Sequence, residues 1–191
     1  MKRFLILMLA AAAAAFGAKA RQPETGYRGF IEWSNDYRTQ KPFLGPDSHI
    51  NTLYTGFSTS HGYQFNPWLF VGAGIEYEYC SKLKEHVFIP FVHGRVDMLF
   101  GKFTPFGEVR VGYNLVDNMG DKGFYFSPNI GYRFNWGRKV GINIGAGVSV
   151  LLNKVDSYDM VVDPNGYVMY HKVDSHYEKK AFFSFRIGID F

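Results

Sequence analysis

From Lys180 to Phe191 every second residue is apolar: Ala181, Phe183, Phe185, Ile187, Ile189 and Phe191 alternate with Lys180, Phe182, Ser184, Arg186, Gly188 and Asp190. Successive side chains of an extended chain point to opposite faces, so this segment presents one wholly apolar face and one mixed face. Val140, Ile142, Ile144, Ala146, Val148, Val150 and Leu152 repeat the period against Gly141, Asn143, Gly145, Gly147 and Ser149. Four more segments follow it, at Leu69 to Tyr79, Val92 to Phe100, Glu108 to Leu115 and Phe124 to Trp136, and two weaker ones lie at Tyr27 to Ser34 and Leu53 to Phe65. The count is eight strands, and the predicted class is all-β.

The N-terminus reads differently. Lys2 and Arg3 precede an apolar run from Phe4 to Phe16 and then Ala18-Lys19-Ala20, the layout of a cleavable export signal. The run is short of the roughly 20 residues a membrane-spanning helix needs. Residues 1–20 are therefore expected to leave after export, and residues 21–191 to form one β-barrel domain. Loss of Lys2, Arg3 and Lys19 lowers the formal charge from +4 to +1, which gives no electrostatic case for nucleic acid. The one cysteine, Cys80, makes no internal disulfide and does not follow the leader as a lipid attachment point would. It is read as a small apolar side chain.

Periodicity leaves open which face is inside, because a soluble lipocalin-like barrel alternates too, with its apolar face inward. Three features favour a membrane barrel. The non-apolar face is rich in Gly, Ser and Asn, which suits a narrow lumen. Phe65, Trp68, Phe100, Phe103, Phe134, Trp136 and Phe191 gather at one set of strand ends, as interfacial girdles do. Short connections at Asn66-Pro67, Gly101-Lys102 and 137–139 alternate with longer ones at Asn35 to His49, Ser81 to His86, Val116 to Lys122 and beyond Leu152. Hydrocarbon cannot satisfy free amides and carbonyls, so only closure removes the strand edges.

On these residues the chain resembles the small eight-stranded outer-membrane barrels of the OmpX and OmpA transmembrane-domain kind. The resemblance implies an eight-stranded antiparallel up-and-down barrel in the cell outer membrane of a Gram-negative bacterium. It also implies that Phe183, Phe185, Ile187, Ile189 and the terminal Phe191 serve as the signal read by the outer-membrane assembly machinery. OmpA-type proteins carry a peptidoglycan-binding domain after the barrel; none follows Phe191, so cell-wall anchoring is not expected.

With the apolar face toward lipid, Arg28, Glu32, Glu76, Glu78, Arg95, Asp97, Glu108, Arg110, Arg133, Arg186 and Asp190 point inward. An eight-stranded barrel is just wide enough for its own side chains, so these groups are expected to interlock as ion pairs and fill the lumen. His93 shares their face and is read as a hydrogen-bonding core residue.

Asp163-Pro164-Asn165-Gly166 reads as a tight turn, making the last connection a long hairpin. Pairing Val162 with Tyr167 places Val140 opposite Ile189 and sets Tyr158, Met160, Tyr167, Met169, His171 and Val173 on one face beyond the bilayer, a candidate surface for an extracellular protein partner or lipopolysaccharide. Asp156, Asp159, Asp163 and Asp174 lack the spacing of a calcium loop, and no metal or cofactor is expected.

No enzyme is expected either. Ser60 and His61 face opposite sides, 56–60 lacks the second glycine of a nucleophile elbow, and no histidine pair has zinc-site spacing. The expected function is that of a structural or surface-recognition barrel. A narrow passive channel, a lipid-modifying enzyme and a soluble periplasmic binder are the alternatives.

Overall fold

The computed structural model describes residues 25–40, 50–98, 102–116, 122–136, 140–162 and 168–191, with side chains at all of these except 38–40, 50, 51, 116 and 153–178. The expected export signal, residues 1–20, lies outside them. The strands are β1 (Gly26–Gln40), β2 (Ile50–Asn66), β3 (Leu69–Cys80), β4 (Glu85–Asp97), β5 (Phe103–Val116), β6 (Gly123–Trp136), β7 (Val140–Val162) and β8 (Val168–Asp190). Each pairs antiparallel with the next and β8 pairs with β1, which closes the barrel. Among the described residues no helix is long and apolar enough to cross a membrane, which says nothing of a crossing by strands.

Each strand turns the face its alternation predicts. Phe183, Phe185 and Ile189 are exposed while Phe182, Ser184, Arg186 and Asp190 are buried, and β3 exposes Val71, Ile75 and Tyr77 over buried Glu76, Glu78 and Cys80. Glycine narrows the bore where strands crowd. A Cβ on Gly62 would lie 2.2 Å from the Val71 carbonyl oxygen and 2.4 Å from Gly72 Cα, both backbone atoms, so only a residue without one fits.

The connections differ from expectation in three places. β1 continues to Gln40, so Asn35 and Asp36 belong to a strand and not to a loop. Ser81 to His86 is no long connection: residues 81–84 form a tight turn, with Lys84 at φ 53°, and Glu85 already begins β4. The register of β7 and β8 places Ile142, not Val140, opposite Ile189 and Val168, not Tyr167, opposite Val162, with an irregularity at Ser157/Tyr158.

That irregularity divides the candidate surface residues. Tyr158 pairs with Lys172 and Met160 with Tyr170, whereas Met169 pairs with Val161 and His171 with Asp159. The six therefore do not form a single register series; Val173 falls at the irregularity and Tyr167 outside the described residues. Both strands are 23 residues long against 12 for β3. The ladder of β7 with β6 stops at Asn153, and that of β8 with β1 stops at Phe183. Beyond those points, among the described residues, the two strands pair only with each other, as a ribbon that outruns the barrel.

Candidate functional site

Five arginines enter the lumen from five strands: Arg28, Arg95, Arg110, Arg133 and Arg186, none more than 4% exposed. Near the short-turn end, Asp190 accepts from Arg28 Nε at 3.1 Å and from Arg133 Nη2 at 2.6 Å. Asp97 accepts from Arg28 Nη1 and Arg95 Nε, both at 2.9 Å. Asn143 joins the two acids by accepting from Arg95 Nη2 and donating to Asp190, each at 2.8 Å. Gln64 takes another Arg28 proton at 2.8 Å, and Arg133 also donates to Asn135.

A second layer lies deeper. Arg110 donates to Glu32, to Glu108 at 3.2 Å and to Ser58 at 3.1 Å, with Glu76 at 3.8 Å. Arg186 donates to the Tyr125 hydroxyl at 2.6 Å and to Glu76 at 3.4 Å, and lies 3.7 Å from Glu108. Dividing each guanidinium among several acceptors offsets the cost of burying its charge, which a single pairing rarely does. The sequence-derived lumen residues thus meet as two interlocked groups, with one exception: Glu78 makes no ion pair among the described residues. Asp36, 3% exposed, belongs with them and was not among those expected. Its assignment to a loop hid it.

Aromatic rings separate the layers. The Arg95 guanidinium carbon lies 3.6 Å from the Phe106 ring centroid and 5.2 Å from that of Phe30, while Arg28 and Arg110 lie over Phe30 and Phe91 at 4.8 and 5.0 Å. These are cation–π distances. The lumen is therefore part aromatic, which the Gly, Ser and Asn content did not suggest. The signal was present in Phe30, Phe70 and Phe106, each of which interrupts a polar series.

One arrangement bears on catalysis. Ser60 Oγ lies 2.9 Å from His93 Nδ1, and His93 Nε2 lies 3.2 Å from Glu108 Oε2, the connectivity of a nucleophile, a base and an orienting acid. Sequence spacing paired Ser60 with His61 and missed it. The chain is sealed: Ser60 is 1% and His93 0% exposed, and the Phe30 and Phe70 rings pack against the imidazole at 5.2 Å each. A substrate has no space beside the serine, so the chain serves packing and hydrogen bonding. Among the described residues no three His, Cys, Asp or Glu side chains are grouped to hold a metal.

The exterior inverts the usual order of a protein. Ile130, Phe57, Phe183 and Val92 stand outside, Ile130 at 70% exposure, while the charges are inside. The outward polar groups around His61 satisfy one another. The Tyr27 hydroxyl meets His61 Nδ1 at 2.6 Å, His61 Nε2 meets Thr59 Oγ1 at 2.9 Å, and Thr59 donates to the Phe30 carbonyl at 3.1 Å. A chain closed in this way suits a phase without water. Phe65, Trp68, Phe103 and Phe191 are all exposed at the short-turn end.

A closed barrel of eight antiparallel strands, aliphatic and aromatic outside and ion-paired inside, has the fold of the small outer-membrane β-barrels. Among solved structures, the crystal structure of Neisserial surface protein A (NspA) matches with a TM-score of 0.53, over 86% of this chain and 93% of that chain. At 12% sequence identity the likeness is one of fold. No family model and no curated protein matches the sequence.

Proposed function

We propose that the chain is an integral outer-membrane protein, exported by residues 1–20, that acts as a structural and surface-recognition barrel through the end carrying the β7–β8 ribbon. The observation that carries this reading is the filled lumen: five arginines with their acids and rings occupy the bore, leaving the loop end as the part able to meet a partner. The ribbon supports the choice of that end, because strand edges beyond the barrel wall are free to pair or pack. Outer-membrane lipid would surround the exposed belt, with lipopolysaccharide at the loop end. The sealed state of Ser60 and His93 supports a non-catalytic role.

Lys154 and Tyr177 are register partners, so replacing residues 155–176 by Asn-Gly leaves a two-residue hairpin on an intact barrel. Cells displaying the whole protein are expected to bind surfaces coated with serum or matrix proteins, and cells displaying the shortened form to lose that binding while the barrel stays folded. Equal binding by both forms, or by cells with neither, would sink the recognition role. In planar bilayers the purified protein is expected to leave the baseline unchanged; steady unitary conductance would make the channel reading the better one.

The terminal strand is proposed as the assembly signal. Phe191→Ala is expected to lower the folded fraction recovered from cells, while refolding of the purified chain into detergent changes little. Equal recovery of variant and parent would remove that role.

A further inference from the structure

Among the described residues seven carboxyl groups are buried in the lumen against five guanidinium groups. Five acids have an arginine partner: Glu32, Glu76, Asp97, Glu108 and Asp190. The other two, Asp36 and Glu78, feel the Arg186 guanidinium without an ion pair to it and lie together at the end of the lumen nearest the β7–β8 ribbon.

The register explains their proximity. Asp36 sits opposite Tyr54 on β2 and Ser184 on β8, and Glu78 sits one row away, opposite Gly56, which itself faces Ser34. A Cβ on Gly56 would lie 2.9 Å from Glu78 Cγ; the missing side chain lets the glutamate lean across β2 toward β1. Asp36 Oδ1 and Glu78 Oε1, on residues 97% and 95% buried, have no hydrogen-bond partner among the described residues, while the Ser184 and Ser149 hydroxyls stand beside the Asp36 carboxyl. The two carboxyls line a cavity of about 30 Å³ together with Tyr54, Glu85 and Lys180. Tyr54 donates to Glu85 at 2.7 Å, so one Glu85 oxygen is already engaged. Three acids and one ammonium leave the lining negative.

We infer that this cavity binds a hard divalent cation, Ca²⁺ or Mg²⁺, between the Asp36 and Glu78 carboxylates, with water completing the coordination. Three properties select that class. The surplus charge is two; the unengaged carboxylate atoms are oxygen, which hard cations prefer; and the enclosed volume is too small for an organic ammonium group or peptide but takes an ion, whose further waters stand at the cavity's partly open side. Two carboxylates with several waters is a common way of holding Mg²⁺, so no third acid or histidine is required. Ser149, Leu151 and Phe182 at the base of the ribbon line the same cavity. Occupancy would therefore tie β1 to β3 directly under the surface-exposed end.

The test uses the full-length folded protein in detergent micelles, treated with EDTA and then dialysed. Tb³⁺ is the first probe, because Tyr54 and Tyr125 line the cavity and sensitise lanthanide emission when excited. Sensitised emission displaced by Ca²⁺ is expected, together with a rise in apparent unfolding temperature on adding Ca²⁺ or Mg²⁺. Both should be lost in Asp36→Asn with Glu78→Gln; if that pair does not fold, Asp36→Asn alone should move the Ca²⁺ midpoint to higher concentration. The inference is overturned if the parent shows neither signal or if the double variant retains both, which would place the cation elsewhere. It is also overturned if the double variant gains stability with no cation effect in the parent, because the carboxyls would then be neutralised by protons.

Discussion

Arg110→Ala is expected to lower the stability of the folded barrel by about 3–5 kcal/mol, the cost of leaving buried charges without their partner. Arg110 is fully buried, holds Glu32 and Glu108, donates to Ser58 and packs over Phe91. Among the described residues Glu32 has no other ion pair, so its carboxylate suffers most. Denaturant unfolding in lipid vesicles, followed by tryptophan fluorescence, measures the loss. Pairing Arg110→Met with Glu32→Gln should restore much of it, because removing both charges removes the desolvation cost along with the attraction. A loss under about 1 kcal/mol is what a solvated pair gives; it would mean that the lumen holds water and that a conducting path deserves renewed consideration.

Ile130→Arg carries the second large effect. Ile130 lies near the middle of β6 and is 70% exposed. In water an exposed position of this kind tolerates charge within about 0.5 kcal/mol. On the lipid face of a barrel, an arginine near the midplane costs about 2–4 kcal/mol. The same measurement thus separates a membrane barrel from a soluble one, and the soluble periplasmic binder predicts no change. Asn129, the neighbour on the same strand, is buried in the lumen, so a loss confined to that position and absent at Ile130 would contradict the orientation assigned to the two faces.

The parts legible in the sequence are those where one face of the sheet is exposed and apolar and the other fills the lumen, which imposes a period of two. Along β3 to β6 and the lower halves of β7 and β8 the apolar residues follow that period, and the faces follow from it. Beyond the apolar belt the pattern ends. Asp36-Tyr37-Arg38-Thr39-Gln40 carries polar residues on both faces, so its strand character comes from pairing with 50–54 and leaves no periodic trace. The acid missed in the lumen, Asp36, was lost with it.

Ser81-Lys82-Leu83-Lys84 has the composition of a loop but closes as a turn, with Lys84 in a left-handed conformation that lysine seldom adopts. The irregularity at Ser157/Tyr158 shifts the register above it by one residue, and neither residue advertises it. In the lumen, spacing showed which residues share a face but not their partners. Arg95 reaches Asn143 across the bore, 48 residues away in sequence, a contact set by closure.

The central claim is a closed barrel resident in the outer membrane. It is tested most directly by fractionating cells that express the protein and running the outer-membrane fraction on SDS gels with and without boiling. The expected result is recovery in that fraction with a mobility that changes on heating, as a barrel that resists SDS until heated requires. Recovery in the soluble periplasmic fraction, with a single mobility under both conditions, would contradict it.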